Sequence, residues 1–355
     1  KKAKRGGVIS FRIDRVASDY TTDFYKSNLP ENIIRLYTQN GIKPSRGIMC
    51  GINQQNISEF LSEYDFYNSN NYKGIAFSDW YDNKLNTYYL LSPFKDYLPK
   101  HYLYIEYSGS KQILYTLDDK VQINGELYNI ICVLLKDYDL ALKRCRGGHG
   151  DGFIKLSLRD GICFKNDTAI SEDEFKKTIK ELDSYIVTQF VRPQQGLREI
   201  CGENSFAVLR VITLFSQEKQ SSEVAAIIIR LGTTKSGPTQ AKHDHIYAGV
   251  NMIDGKLFNP IYEINDYNYF QTDIHPETER LIEGYKIANL DLLKSIVCQI
   301  ADYVPFTPYL VFDIVPTDNS FAILEINSHG QPFIVEPYYR IKNNPTFREI
   351  FEIAD

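Results

Sequence analysis

The sequence predicts a mixed α/β chain of two or three lobes. Three observations carry this. The chain has 355 residues, and at ~150 residues per domain that exceeds one small module. Helix signals with recognisable caps alternate with short apolar runs of strand length. No internal repeat or low-complexity tract breaks that alternation.

Composition narrows the class. Hydrophobic residues make up 43% and charged residues 24%, which suits a globular core that needs no metal or disulfide staple. Lys plus Arg is 40 and Asp plus Glu is 45; a net charge of −5 argues against a general nucleic-acid binder. The six cysteines, at 50, 132, 145, 163, 201 and 298, contain no CxxC and read as reduced thiols, not a disulfide framework or zinc site. No apolar stretch of about 18 residues is present, so no membrane span is expected. The basic opening Lys1-Lys2-Ala3-Lys4-Arg5 leads into no apolar segment of the signal-peptide kind. A start on Lys rather than Met predicts a processed or excised piece, such as the C-terminal part of a longer polypeptide.

The first ~115 residues read as short helices and strands with no catalytic motif. Pro30 and Gly41 bracket a helix from Glu31 to Asn40. Ile57, Phe60, Leu61 and Tyr64 fall at helical spacing on a second. Tyr88 to Leu91 and Tyr102 to Ile105 read as strands. Beyond Ser110, Asp137 to Cys145 reads as a strand, followed by the loop RGGHGDG and a returning strand, Phe153 to Leu158. Ser171 and Glu174 form a capping box that opens a helix to about Asp183. Ile186 to Val191, Ala207 to Leu214 and Val224 to Leu231 are apolar strands. Asn289 to Tyr303 is a helix with Leu290, Leu293, Val297 and Ile300 on one face. Tyr309 to Val315 and Phe321 to Ile326 form a hairpin around PTDNS.

Three constellations could carry chemistry. Lys143 ends a strand and is followed by Gly147, Gly148, Gly150 and Gly152. Glycines let successive backbone N–H groups close on an anion, and a nearby ammonium adds charge for phosphate oxygens. The pattern is neither a Walker A loop nor a GxGxxG fingerprint. A flexible hairpin with an incidental lysine is the competing reading. Second, Glu325 and Asn327 share a face of one strand. A five-residue loop, Pro316 to Ser320, would pair Val315 with Phe321 and bring Asp313 to that face. Two carboxylates and an amide suit Mg²⁺ bridged to phosphates. A solvated sheet face is disfavoured because Leu310, Val311, Phe312, Ile314, Ile323 and Leu324 look core-like on both sides. Third, Arg210 and Arg230 lie in apolar strands and need partners. Each could stabilise a transferring phosphoryl group or a carboxylate, and a structural ion pair is an equal reading for Arg230. The histidines are scattered, and His243-Asp244-His245 suits a substrate contact or surface role better than zinc. There is no GxSxG and no cysteine in a catalytic context.

The order of these parts resembles the ATP-grasp superfamily, closest to its sugar-transfer-associated branch, over roughly Lys120 to Tyr339. The carrying segments are ALKRCRGGHGDGFIKL, YIVTQFVRPQ, LRVITLF, IIIRLG, HDHIYAGVNMIDGKL, HPETERLIEG and FDIVPTDNSFAILEINSHGQP. The resemblance implies an α+β chain of ATP-grasp fold, in which two lobes clamp ATP. Residues 116–187 would form the small lobe and 188–355 the large lobe. Residues 1–115 would be an uncovered N-terminal α/β region and a candidate for acceptor binding. It also implies that Lys143 contacts the α- and β-phosphates and that the loop with Arg146, Gly147, Gly148, His149, Gly150 and Gly152 covers the β- and γ-phosphates. Lys120 would be a further nucleotide contact. Thr188, Gln189 and Val191, in the hinge, would meet adenine, and Asp313, Glu325 and Asn327 would hold Mg²⁺. Arg210 would sit at the reacting γ-phosphate and the acceptor carboxylate, and Arg230 is the second catalytic candidate. Ala207-Val208, Arg192-Pro193 and Asp244-His245 depart from the branch's pattern, at positions that bear on the acceptor.

The implied chemistry is carboxylate activation by ATP and capture of the acyl phosphate by an amine. The expected acceptor is a uronic acid of a capsular or surface polysaccharide, and the expected amine an amino acid or a small amino alcohol or its phosphate. A fused or partner glycosyltransferase and a bacterial cytoplasmic setting, at the inner face of the membrane, complete the expectation. A peptide ligase, a sugar kinase or a non-catalytic binding module are the alternatives.

Overall fold

The computed structural model describes residues 23, 28–68, 77–119, 121, 125–147, 150, 152–234 and 243–353. Lys120, Gly148 and His149 lie outside the described residues.

Two seven-stranded antiparallel sheets organise the chain, so the class is α+β. The strands are β1 (His101–Ser108), β2 (Lys111–Thr116), β3 (Leu140–Arg144), β4 (Ile154–Arg159), β5 (Ile162–Lys165), β6 (Thr168–Ala169) and β7 (Tyr185–Gln189), then β8 (Ala207–Ser216), β9 (Ser221–Gly232), β10 (His245–Val250), β11 (Leu257–Asn265), β12 (Asn268–Gln271), β13 (Tyr309–Pro316) and β14 (Phe321–Asn327). The first sheet runs β2-β1-β7-β3-β4-β5-β6 and the second β12-β11-β10-β9-β8-β13-β14. The strand that the sequence reading placed at Tyr102 to Ile105 in the N-terminal region is part of β1; it pairs with β2 and hydrogen-bonds to β7, so the β1–β2 hairpin is an edge of the first sheet.

Among the described residues, the helices with defined bounds are α1 (Glu31–Asn40), α2 (Pro44–Met49), α3 (Glu63–Asn68), α4 (Ser78–Asp82), α5 (Lys84–Leu90), α6 (Leu127–Leu134), α7 (Glu172–Lys180), α8 (Gln195–Cys201), α9 (Leu290–Tyr303) and α10 (Pro345–Ile350). Each sheet buries one face under helices. Leu140, Leu142 and Val187 pack with Ile130 and Ile131 of α6 and with Phe175 and Ile179 of α7. Leu209, Val211, Ile227, Ile229 and Phe312 pack with Leu293, Val297 and Ile300 of α9, the face the sequence assigned to that helix. Alternation along each strand then sends the intervening side chains to the opposite face. Part of that opposite face of the second sheet, Ile212, Leu214, Ile228 and Tyr309, is covered by Leu61, Phe66, Phe333 and Phe347. The rest of it carries the polar site.

Ser171 does cap α7: its Oγ accepts from Glu174 N at 3.2 Å. Ser171→Ala is expected to lower stability by about 1 kcal/mol, read as a shift in the denaturant midpoint at unchanged slope.

Two expected elements differ. Tyr88 to Leu91 is not a strand but the end of α5, which Asn83 caps by accepting from Leu85 N and Asn86 N through its side chain. The cap outweighs the strand propensity of the tyrosines; Tyr88 is buried and Tyr89 is 61% exposed, their rings meeting edge to face. The helix expected through Ile57, Phe60, Leu61 and Tyr64 is broken: a 3₁₀ turn, Ile57–Glu59, gives way to extended Phe60 before α3. Leu61 N donates to Glu336 Oε1 and Leu61 O accepts from Arg46 Nη2, so tertiary partners take the groups a helix would have used.

Candidate active site

The two polar sheet faces meet at an open cleft. Lys143, Ile186, Thr188 and His101 line it from the first sheet, Ile323, Leu324 and Glu325 from the second, and Tyr81, Lys84, Thr87 and Tyr88 from α4 and α5. Lys143 arrives there because Leu140 and Leu142 are fully buried on the other face of β3. Burial, and then the like charge of Lys84, hold the Lys143 ammonium down to about 8, while Glu325 pulls the other way.

The glycine loop begins directly beyond β3. Gly147, Gly150 and Gly152 have positive φ, at 138°, 74° and 69°. At Gly152 the requirement is also steric, since a Cβ would lie 2.6 Å from the Tyr185 hydroxyl, which donates to Gly152 O. Arg146 leaves the cleft for solvent, where it pairs with exposed Asp79.

The carboxylate hairpin is where the register matters. The expected pairing of Val315 with Phe321 is replaced by Pro316 with Phe321, a one-residue shift. Such a shift alone would send Glu325 to the other face. A bulge at Leu324 restores it: Ile314 pairs with Ile323, but Asp313 pairs with Glu325 and Val311 with Asn327. Asp313, Glu325 and Asn327 therefore share one face after all, with Asp313 and Glu325 directly opposed.

Arg210 joins them from β8, where it is paired with Asp313. Its Nε and Nη2 donate to Asp313 Oδ1 and Oδ2 at 3.0 and 3.1 Å. Burial opposes the guanidinium charge, and the Asp313 carboxylate outweighs it, so Arg210 stays protonated. Arg230 lies on the same face one pleat further on, between Val208 and Tyr247. Its guanidinium rests over the Phe206 and Tyr247 rings, and its Nη2 is 3.3 Å from His245 Nε2.

The strand β7 residues divide. Thr188 is buried and lines the cleft, but Gln189 N already donates to Lys100 O. Val191 packs against Phe206, Val208 and Val315, on the face of the second sheet that also carries Arg210 and Asp313.

Sequence reasoning missed several groups here. Lys84 reaches the cleft from α5 with only its Asn83 cap as a local signal. His101, pushed down to about 4 chiefly by burial, lies against the Tyr88 ring in the cleft. A buried relay follows from Arg230: His245, Tyr247 and Glu263, with Tyr247 donating to Glu263 Oε2 at 2.8 Å. Burial drives His245 below its usual value and raises Tyr247. Burial works to raise Glu263, but bonds from His245 and Tyr247 outweigh it and keep the carboxylate ionised. His243, Glu263 and Asp266 bring ligand atoms within 4.8 Å of one another, though both Glu263 oxygens are already occupied by Tyr247 and Tyr269.

Two antiparallel sheets closing on a cleft edged by a lysine, a glycine loop and opposed carboxylates make this an ATP-grasp fold. The chain belongs to the sugar-transfer associated ATP-grasp family, whose sequence profile matches residues 64–337. That match starts well before Lys120, so α4, α5 and the β1–β2 hairpin lie inside the family region, where the sequence reading had left them uncovered. No curated protein sequence matches the chain. Solved structures that it is similar to include the biotin carboxylase–β,γ-ATP complex from Campylobacter jejuni (10% identity, 78% of this chain and 47% of that one, TM-score 0.41). They also include the ADP complex of the purK N5-carboxyaminoimidazole ribonucleotide synthetase (15%, 71% and 46%, 0.37). A third is the D-alanine–D-alanine ligase from Bacillus anthracis complexed with ATP (10%, 70% and 56%, 0.32). The chain spans about half the length of these structures. Among the described residues no helix is long and apolar enough to cross a membrane.

Proposed function

We propose that the chain is an ATP-dependent carboxylate–amine ligase that joins the carboxylate of a uronic acid to a small amine and releases ADP and phosphate. The observation that supports this most is the Asp313–Glu325 pair, set opposite one another by the Leu324 bulge and facing a cleft that also holds Lys143. An all-oxygen donor set of two carboxylates and the Asn327 amide fits Mg²⁺. Bound there, the ion would neutralise charge on the β- and γ-phosphates.

In this reading Lys143 holds the α- and β-phosphates, and the loop from Arg146 through Gly152 closes on the β- and γ-phosphates with its N–H groups. Thr188 and Val191 bound the adenine pocket, with Gln189 contributing through groups other than its committed N–H. The acceptor carboxylate oxygen bonds to the γ-phosphorus as the bond to the β,γ-bridging oxygen breaks, giving ADP and an acyl phosphate. Arg210 has Nε and Nη2 committed to Asp313, which aims Nη1 as a charge for the transferring phosphoryl group. The neutral amine then attacks the acyl carbon, the C–O bond to phosphate breaks, and the amine's surplus proton departs. Arg230 and the His245–Tyr247–Glu263 relay suit the acceptor side, where a fixed cation and a buried anion orient a sugar acid and an amine. No protein nucleophile is required. ATP and Mg²⁺ as reagents would suit a cytoplasmic setting, with a glycosyltransferase as a sensible neighbour.

The test is ADP and phosphate release with MgATP, glucuronate-type acceptors and a panel of amines, each component omitted in turn. The expected result is release that needs both uronate and amine, with a product lighter by one water than their sum. Phosphate retained on a product made without any amine would replace the ligase reading with a kinase.

A further inference from the structure

The run His243-Asp244-His245 has no further metal ligand near it in the sequence, and the fold supplies two. Glu263 comes from β11, where it pairs with His245, and Asp244 N donates to Glu263 O at 3.0 Å. Asp266 comes from the turn between β11 and β12, which the Asn265 side chain braces by accepting from Tyr267 N and Asn268 Nδ2. Asp244, at a φ of 68°, bends the chain ahead of β10. Both imidazoles then reach one carboxylate: His245 Nε2 is 3.1 Å from Glu263 Oε2 and His243 Nδ1 is 3.6 Å from Oε1.

His243 stands between two carboxylates and hydrogen-bonds to neither. Its Nδ1 lies 3.6 Å from Glu263 Oε1 and its Nε2 lies 3.9 Å from Asp266 Oδ2, both too long for a hydrogen bond. Yet Nδ1 is shut off from solvent and has no hydrogen-bond partner. A buried ring nitrogen left in that state is costly unless a ligand belongs beside it. One ligand atom from each of His243, Glu263 and Asp266 lies within 4.8 Å of the other two. Zinc bonds of about 2.0–2.2 Å hold two tetrahedral ligand atoms about 3.4 Å apart. The His243–Glu263 gap is close to that already, and Asp266, 55% exposed on its turn, is the ligand that would close in. The Tyr247 and Tyr269 hydroxyls on Glu263 are no obstacle, because a carboxylate offers about four lone-pair sites. Donors of this kind orient a ligating carboxylate.

We propose that His243, Glu263 and Asp266 form a site for a divalent transition metal of the Zn²⁺ class, separate from the Asp313, Glu325 and Asn327 set. Two carboxylates offset the ion's charge, and the imidazole selects such a metal over Mg²⁺. Three protein ligands leave a fourth position for water or for an oxygen of a bound molecule, with His245 between the site and Arg230. The site would stand whether or not the cleft holds ATP.

Calorimetric titration with Zn²⁺ tests this, on EDTA-treated and desalted protein in excess Mg²⁺ without nucleotide, for wild type, H243A, D266N and E325Q. Wild type should bind a single Zn²⁺ per chain. H243A should lose affinity by about a hundredfold or more and D266N by about tenfold or more. E325Q should match wild type within about twofold. Asp266 is exposed, so D266N separates loss of a ligand from loss of the fold. Co²⁺ in place of Zn²⁺ should give wild type the visible absorption of a four-coordinate ion, and H243A should lack it. Wild type that takes up no Zn²⁺ would overturn the proposal. Equal affinity in wild type, H243A and D266N would do the same, since it would mean an adventitious ion only, on cysteine thiols or elsewhere. A loss in E325Q with H243A unchanged would move the ion to the other carboxylate set and overturn it as well.

Discussion

Glu325→Gln is expected to lower turnover by about a hundredfold to a thousandfold while leaving the fold intact. The change is isosteric and keeps the β14 ladder, in which Glu325 pairs with Asp313 through backbone groups alone. What it removes is one of two carboxylate charges from the set proposed for Mg²⁺, and the ionic partner of Lys84. Asp313→Asn is a poorer probe. It would strip the half-buried Arg210 guanidinium of its bidentate partner and mix a folding cost with the chemical one. The measurement is the initial rate of ADP release over a range of Mg²⁺ concentrations, with calorimetry of ADP binding beside it. Glu325→Gln should flatten the Mg²⁺ dependence of ADP affinity. An unaltered Mg²⁺ dependence together with an unaltered rate would remove Glu325 from the metal role.

How much of this was legible depends on how local each determinant is. The capping serine of α7, the apolar stripe of α9 and the paired apolar runs of β8 and β9 announce themselves within a few residues, and they form where expected. The shared face of Asp313, Glu325 and Asn327 was legible for a subtler reason. The expected register was off by one residue, and the bulge at Leu324 compensates by one residue. Face parity survived although the pairing did not, and nothing in FAILEIN signals the bulge. Lys84 was illegible because its place in the cleft depends on a β-bridge between Asn83 and Arg146, and its contact with Gly147 spans 63 residues of chain. Tyr88 to Leu91 misled because strand propensity is weak against a side-chain cap and tertiary packing. The relay through His245, Tyr247 and Glu263 joins two strands, so only its HxH fragment shows in sequence.

Arg46→Met is expected to destabilise the protein by about 3–5 kcal/mol at neutral pH, the largest stability effect argued here. Arg46, Glu63 and Glu336 are 4%, 1% and 0% exposed and form a triad that ties α2 and α3 to the segment after β14. Arg46 Nη2 is 2.7 Å from Glu63 Oε2, Nη1 bonds Glu336, and the guanidinium lies over Phe333. One cation serves two carboxylates, so burial wins over the Arg46 attraction at both. Glu63 is raised, and Glu336 is pushed up to about 7, with Glu63 adding like-charge repulsion. Because Glu336 holds its proton in the folded state up to about 7 but releases it near 4.5 when unfolded, its contribution favours folding at low pH. That contribution is lost as pH rises from about 4.5 through 7, at up to about 1.4 kcal/mol per unit. Without the guanidinium both carboxylates should be pushed higher still, so the penalty of Arg46→Met should shrink at pH 5, where they protonate. Glu336→Gln can keep the acceptor for Leu61 N and leaves Arg46 paired one-to-one with Glu63. It should therefore flatten the wild-type fall in stability over this window and gain on wild type toward pH 8. Denaturant unfolding at pH 5, 6, 7 and 8 reads all three proteins. A penalty for Arg46→Met that is the same at pH 5 as at pH 8 would mean that lost packing on Phe333, not uncompensated charge, carries the effect.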